Sequence, residues 1–293
     1  MNTRSRTLIL LHIAVFLAGW TGIFGRIISL GGLPLVWYRS IIAVATLAAV
    51  LALMHRLHRV AFADILRIAF CGALLGIHWV AFFASIKASN VSVGVACIAT
   101  SCFFTAVFDP LLNRHRLSWK DFLVSFIAIA GILLIFTLDV RYRLGIALGL
   151  LSAAVYSLFS ILNVRVATST GQDSATMLFY ELIGCVVFLA LCMPFYVRIN
   201  PDLPAFPPRT DLLGLILLGS VFTIIPFLLQ IHALRHLKPF TVNVTYNLEP
   251  IYSIIFAAII FGETCEVGFS FWAGLTLIVI SVFLQSRRAV RYS

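Results

Sequence analysis

Ten apolar runs, each about 20 residues long, make up most of this chain, and nearly every charge lies in a short polar gap between two of them. A helix rising ~1.5 Å per residue needs a run of that length to cross ~30 Å of hydrocarbon, and it satisfies its own backbone polar groups on the way. The runs cover 7–29, 34–54, 64–86, 91–112, 121–138, 144–165, 174–196, 211–234, 240–261 and 267–286. With 61% hydrophobic and 11% charged residues, a water-soluble fold would have to hide more apolar surface than one core takes. The pattern predicts an all-α integral membrane protein with ten transmembrane helices.

The gaps also predict an orientation. Assigning alternate gaps to opposite sides collects 14 Lys and Arg on one face, among them Arg4, Arg6, Arg114, Arg116 and Arg165, and six on the other, including Arg26, Lys87 and Arg198. By the positive-inside rule both termini are cytoplasmic. The same rule accounts for the net charge of +10, so nucleic acid is not an expected partner. The basic opening MNTRSR leads into an apolar run too long for a signal peptide and without a cleavage pattern; it reads as the first span of a multi-pass inner-membrane protein. Five Cys lie inside runs and Cys265 stands alone in a tight turn, so no disulfide framework is expected.

The chain resembles itself. A shift of 149 residues lays 84–101 on 233–250, matching Ala84 with Ala233, Ser92 with Thr241, Val93 with Val242 and Val95 with Val244. A shift of 142 lays LPLVWYR on ATMLFYE, matching Tyr38 with Tyr180 and Arg39 with Glu181. Two halves of five spans follow, and because five is odd the second enters the membrane upside down. That inverted-topology repeat builds transporters with a site at the midplane between halves.

The duplicated layout, FLAGWTGIFGR ending span one, LPLVWYR opening span two with an Arg in the membrane, and the Gly-containing closing helices FIAIAGILLIF and FWAGLTLIVI together carry a resemblance. The chain is similar to the drug/metabolite transporter superfamily, in particular EamA-like exporters with ten helices in two five-helix repeats, here 7–138 and 144–286. The resemblance covers almost the whole chain. It implies a secondary transporter, often an exporter of amino acids, metabolites or xenobiotics, with alternating access to a central cavity. The family often carries a mid-span proline in span four as in span nine. Ser101 stands here at the place matching Pro250, so the two helices are not expected to behave alike.

Span nine holds NVTYNLEPIYSIIF over 243–256, with Glu249 about 13 Å in from its cytoplasmic start, near the bilayer centre. An ionised carboxylate facing lipid there costs several kcal/mol, so it faces the interior, takes a partner or is protonated. Three readings stand: a neutral hydrogen-bonded Glu in a kinked helix, a proton or substrate-amine site, or a structural ion pair. Pro250 deprives the Tyr246 carbonyl of its usual donor, which is tolerated at depth only inside protein or beside water. Asn243, Tyr246, Asn247 and Pro250 share one helical face, with Thr245, Glu249 and Ser253 adjoining.

Span six carries Gly145, Gly149, Ser152, Tyr156, Ser160 and Asn163 as a small and polar stripe, read as close helix packing or, for Tyr156 and Ser160, as cavity wall. Trp20 is either an interfacial anchor or part of a pocket. His78 is either a satisfied core residue or a proton exchanger, with Trp79 pointing about 100° away. Arg39 and Glu181 are matching positions, but helical rise leaves over ~10 Å between their backbones along the membrane normal, and Arg39 reads either as an anchor that snorkels outward or as a substrate contact. Asp109, beside Arg114 and Arg116, reads as a helix-end ion pair.

No HExxH, GxSxG, P-loop or GxGxxG stands in strand-turn-helix context, so no catalytic residue, metal or cofactor is assigned. The expected cavity is bounded by spans one, three, four, six, eight and nine. Its substrate-binding candidates are Tyr156, Tyr246, Asn247, Asn243, Trp20 and His78, with Glu249 and Pro250 coupling binding to movement. The leading function is export of a small amphipathic metabolite such as an amino acid or its analogue by a monomer or homodimer in the lipid bilayer. The alternatives are a flippase or carrier for lipid-linked or nucleotide-sugar substrates and, remotely, an intramembrane enzyme or structural partner.

Overall fold

The computed structural model describes residues 3–56, 60–114, 119–138, 142–234, 236–237, 239–246 and 248–292. Their regular structure is helical: α1 (Thr3–Ile27), α2 (Gly32–Leu53), α3 (Phe62–Ala88), α4 (Val91–Ile98), α5 (Ser101–Asn113), α6 (Trp119–Leu138), α7 (Arg143–Thr170), α8 (Ser174–Ile199), α9 (Arg209–Leu234), α10 (Pro239–Tyr246), α11 (Glu249–Phe261), α12 (Glu263–Glu266) and α13 (Phe269–Tyr292). Among the described residues seven segments are long and apolar enough to cross a membrane: α1, α2, α3, the pair α4–α5, α7, α8 and α9. The expected spans five, nine and ten correspond to α6, the pair α10–α11, and α13. Large apolar side chains such as Leu53, Phe70, Val164, Leu191, Phe195 and Ile259 stand exposed on the outside of the bundle, as lipid contact requires.

Polar residues set the helix ends. Asn90 caps α4 by accepting from the Val93 N–H at 2.9 Å, and Asp173 caps α8 by accepting from Ala175 N–H at 3.0 Å and Thr176 N–H at 3.3 Å. Gly262, at φ +67°, closes α11 in the left-handed conformation that other residues resist.

Within the bundle α3 packs chiefly on α7 and α8, and α9 chiefly on α1 and α2, while α2 meets α8 and α6 meets α13. The α3–α8 crossing is close because Gly72 has no side chain; a Cβ there would overlap the carbonyl oxygen of Glu181. Gly145 and Gly149 likewise bring α7 against Ser85, Ser89 and Cys97, and the Ser85 hydroxyl donates to the Gly145 carbonyl at 2.6 Å. For these two glycines the stripe on span six is a packing seam.

Spans four and nine, read from the sequence as continuous helices, are both interrupted. The first breaks at Ala99–Thr100 and the second just before Glu249, each leaving an 8-residue piece followed by a 13-residue piece. The difference expected from Ser101 in place of proline therefore does not appear as one straight and one bent helix. In the first break Thr100 substitutes local bonds for the helical ladder. Its N–H and hydroxyl both donate to the Cys97 carbonyl, at 3.0 and 2.6 Å. The Ser101 carbonyl is taken up by the Ser157 hydroxyl of α7 at 2.7 Å. In the second break Pro250 is the second residue of α11, where a missing N–H costs no helical bond within that piece.

Candidate functional site

Arg39 lies about two turns into α2 and is only 3% exposed, so it does not snorkel to the membrane edge. Its guanidinium carbon sits 4.1 Å from the centre of the Trp79 ring on α3 and 5.5 Å from that of Phe83. Cation–π contact of this kind contributes about 2 kcal/mol when water is excluded. Nε donates to the Thr223 hydroxyl of α9 at 3.2 Å, and that hydroxyl donates onward to the Leu218 carbonyl at 2.5 Å. Nη1 is buried and has no hydrogen-bond partner.

Glu249 opens α11 at the helix break. It is partly exposed, and its carboxylate receives no hydrogen bond among the described residues. Arg39, Tyr156 and Tyr246 lie within its electrostatic reach, yet no direct ion pair joins Arg39 to Glu249. Tyr246 donates its hydroxyl to the Pro226 carbonyl of α9 at 3.3 Å, tying α10 to α9 beside Glu249.

Tyr156 is 38% exposed, although its ring lies 4.9 Å from that of His78 and 6.2 Å from that of Phe159, both buried. Tyr156 thus combines an exposed surface with contact to buried rings, and it lies within electrostatic reach of Glu249. His78 is held by Ser152 on α7. The Ser152 hydroxyl donates to the His78 carbonyl at 2.8 Å, and His78 Nδ1 lies 2.8 Å from that hydroxyl and 3.1 Å from the Ser152 carbonyl. The assignment that satisfies all three contacts places the hydrogen on Nδ1.

The structure therefore gathers Tyr156, Tyr246, Glu249 and, one ring behind, His78. Pro250 follows Glu249 in the first turn of α11. Trp20, half-buried, belongs to a neighbouring aromatic cluster, with ring centres 4.8 Å from Phe256 and 6.0 Å from Phe222. The backbone of Asn243 lies in α10, but its side chain, and Asn247 altogether, fall outside the described residues. Arg39, one of whose two sequence readings was substrate contact, lies beside Trp79 and Thr223, which were not among the sequence candidates. Glu181, the position matching Arg39, is buried on α8 facing Asn163, with Oε1 unpartnered.

A second polar cluster closes the end of the bundle where α1 stops. Glu263, 1% exposed, pairs with Arg26 at 2.5 Å. It also accepts from Val91 N–H at 3.0 Å, Ser92 N–H at 2.8 Å and the Ser92 hydroxyl at 2.6 Å. One carboxylate thus holds together α1, the start of α4 and the turn after α11. Beside it, Asp211 accepts from the Ser29 N–H and hydroxyl, both at 2.8 Å, and Lys87 donates to the Ile28 carbonyl. Toward the other end, Leu8, Ile9, His12, Ile13, Phe16 and Tyr252 line an apolar groove of about 440 Å³ between α1 and α11. Among the described residues no three His, Cys, Asp or Glu side chains converge as a metal site would need.

The model of the EamA-like transporter family matches residues 5–137 and again 143–287. A solved structure named only "Crystal structure of protein" is similar over 98% of this chain and 100% of its own, with a TM-score of 0.61 and 16% identity, a likeness of fold alone. No curated protein matches the chain.

Proposed function

The chain belongs to the EamA-like transporter family, and on that premise we propose that it exports a small amphipathic metabolite, such as an amino acid or its analogue, by alternating access around Glu249. It is a multi-pass membrane protein of a transporter family rather than an enzyme. The observation that carries the reading is a carboxylate with no hydrogen-bonding partner among the described residues, partly exposed inside an apolar bundle, at a helix break flanked by Tyr156 and Tyr246. A group left so costs free energy unless water, a proton or a substrate cation meets it there.

The proposed architecture has ten spans in two inverted repeats, 7–138 and 144–286, with both termini cytoplasmic and the membrane an inner one. The packing supports it. A two-fold axis that exchanges the halves turns the contacts of α3 with α7 and α8 into those of α9 with α1 and α2, and maps the pairs α2–α8 and α6–α13 onto themselves. The breaks in spans four and nine correspond in the same way. In this frame the Arg26, Asp211 and Glu263 cluster closes the outer end.

Glu249→Gln keeps the size and hydrogen-bonding capacity of the neutral acid but cannot exchange a proton. In proteoliposomes it should fold and lose pH-dependent transport; transport at the parental rate with the parental pH profile would reduce Glu249 to a buried polar residue. The apolar groove between α1 and α11 favours a second reading, a carrier of lipid-linked substrates. Lipid-headgroup translocation between leaflets, measured in the same vesicles, separates the two.

A further inference from the structure

Each interrupted span is clasped at its far end by an arginine from the other half of the chain. Near the end of α1, Arg26 sets its guanidinium carbon 4.5 Å from the centre of the Phe261 ring, the last residue of α11, and pairs with Glu263 just beyond it. Near the end of α7, Arg165 donates through Nη2 to the Leu112 carbonyl at 2.7 Å and to Asn113 Oδ1 at 2.6 Å, and Asn113 is the last residue of α5. The two-fold axis that exchanges the halves turns the packing of α1 on α11 into that of α7 on α5. The clasps are therefore counterparts, and in the architecture proposed above they close opposite faces of the bundle. They are not equally strong. Glu263 is 1% exposed and also accepts from Val91 N–H, Ser92 N–H and the Ser92 hydroxyl, so its charge is fully engaged away from water. Arg165 and Asn113 are both exposed, and the two acceptors that hold Arg165 are neutral. The residue that caps α5 at φ +54° is a second cation, Arg114, where Gly262 caps α11. Contacts open to water exchange for it at little net cost.

We propose, on the transporter reading and the architecture above, that the Arg26–Glu263 and Arg165–Asn113 clasps are a linked pair of gates of unequal strength, so that the chain without substrate stays shut at the Glu263 end and opens at the Arg165 end. Opening either end draws the first helix of one half away from the broken span of the other, and the clasp there has to part. The weaker clasp parts first. In the proposed orientation that end is cytoplasmic, the side from which an exporter takes up its load.

The test is hydrogen–deuterium exchange of the purified full-length chain in detergent without substrate, read at both ends together: the Val91 and Ser92 amides at one, the Leu112 and Asn113 amides at the other. Gates that share one movement are linked, so a variant that loosens one end populates the state open there and holds the opposite end shut. Arg165→Gln should slow exchange of Val91 and Ser92 about threefold. Glu263→Gln should slow exchange of Leu112 and Asn113 by a similar factor while speeding it at its own end. Arg26→Gln should act in the same direction as Glu263→Gln and more weakly, and it takes that variant's place should Glu263→Gln prevent folding. A clasp that only braces its own end changes exchange there alone. Exchange altered solely at the substituted end, or faster at both ends, would therefore overturn the linked gates. Vesicle transport by the parent chain is measured separately, so the transporter reading stands or falls on its own.

Discussion

Glu263→Gln tests how the end of the bundle near α1 is held shut. The carboxylate accepts three hydrogen bonds from α4 and an ion pair from Arg26. Gln keeps one carbonyl oxygen but replaces the other with an amide that faces donors. Hydrogen bonds to a charged group contribute about 1.5–3 kcal/mol and neutral ones about 0.5–1.5, so three lose on the order of 1 kcal/mol each, ~3 kcal/mol together. The Arg26 side chain is 32% exposed, which holds the ion pair itself to about 1 kcal/mol or less. At ~1.4 kcal/mol per decade, opening of the first turn of α4 should rise about 100-fold. Hydrogen–deuterium exchange of the Val91 and Ser92 amides reads this directly. Arg26→Gln, which removes the pair but leaves the three acceptor contacts to α4 on a charged carboxylate, should speed exchange about fivefold or less. Exchange in Glu263→Gln within about threefold of the parent, or equal effects of the two variants, would refute the reasoning.

Two other outcomes follow from the fold and topology. Gly72→Val places a branched side chain against the Glu181 backbone and should cost more than about 3 kcal/mol, seen as loss of the monodisperse peak in fluorescence-detected size exclusion. Reporter fusions after Lys87 and Arg165 should report opposite sides of the membrane, Lys87 outside; both on one side would overturn the proposed orientation.

Span positions were legible because length and polarity are properties of a run. The helix expected to start at residue 174 starts there, and that expected from 211 begins at Arg209. Glu249 was legible for the same reason, as a carboxylate inside an apolar stretch. What a run does not carry is rotation. Arg39 was visible as a membrane cation, but helical rise fixes depth and not the facing side, so the Trp79 ring beneath it could not be read. Thr223 gave no signal, since a lone Thr in an apolar run is ordinary. Glu263 sits beside a turn glycine and reads as a loop charge until α1 and α4 come to meet it. The break at Thr100 lacks proline and rests on Cys97 and Ser157, contacts that no local pattern announces.

The two interrupted spans share a shape but not a range of motion. At the first, Ser101 still owns an amide hydrogen, and straightening asks only that the Cys97 carbonyl release Thr100 and accept Ser101, an exchange of one bond for another at a net difference of about 1 kcal/mol. At the second, Pro250 has no hydrogen to give the Tyr246 carbonyl, so no rearrangement restores the ladder there. One half of the chain carries an adjustable joint and the other a fixed elbow. The two breaks therefore differ in what they permit: the one at Thr100 can exchange one backbone bond for another, and the one before Glu249 cannot.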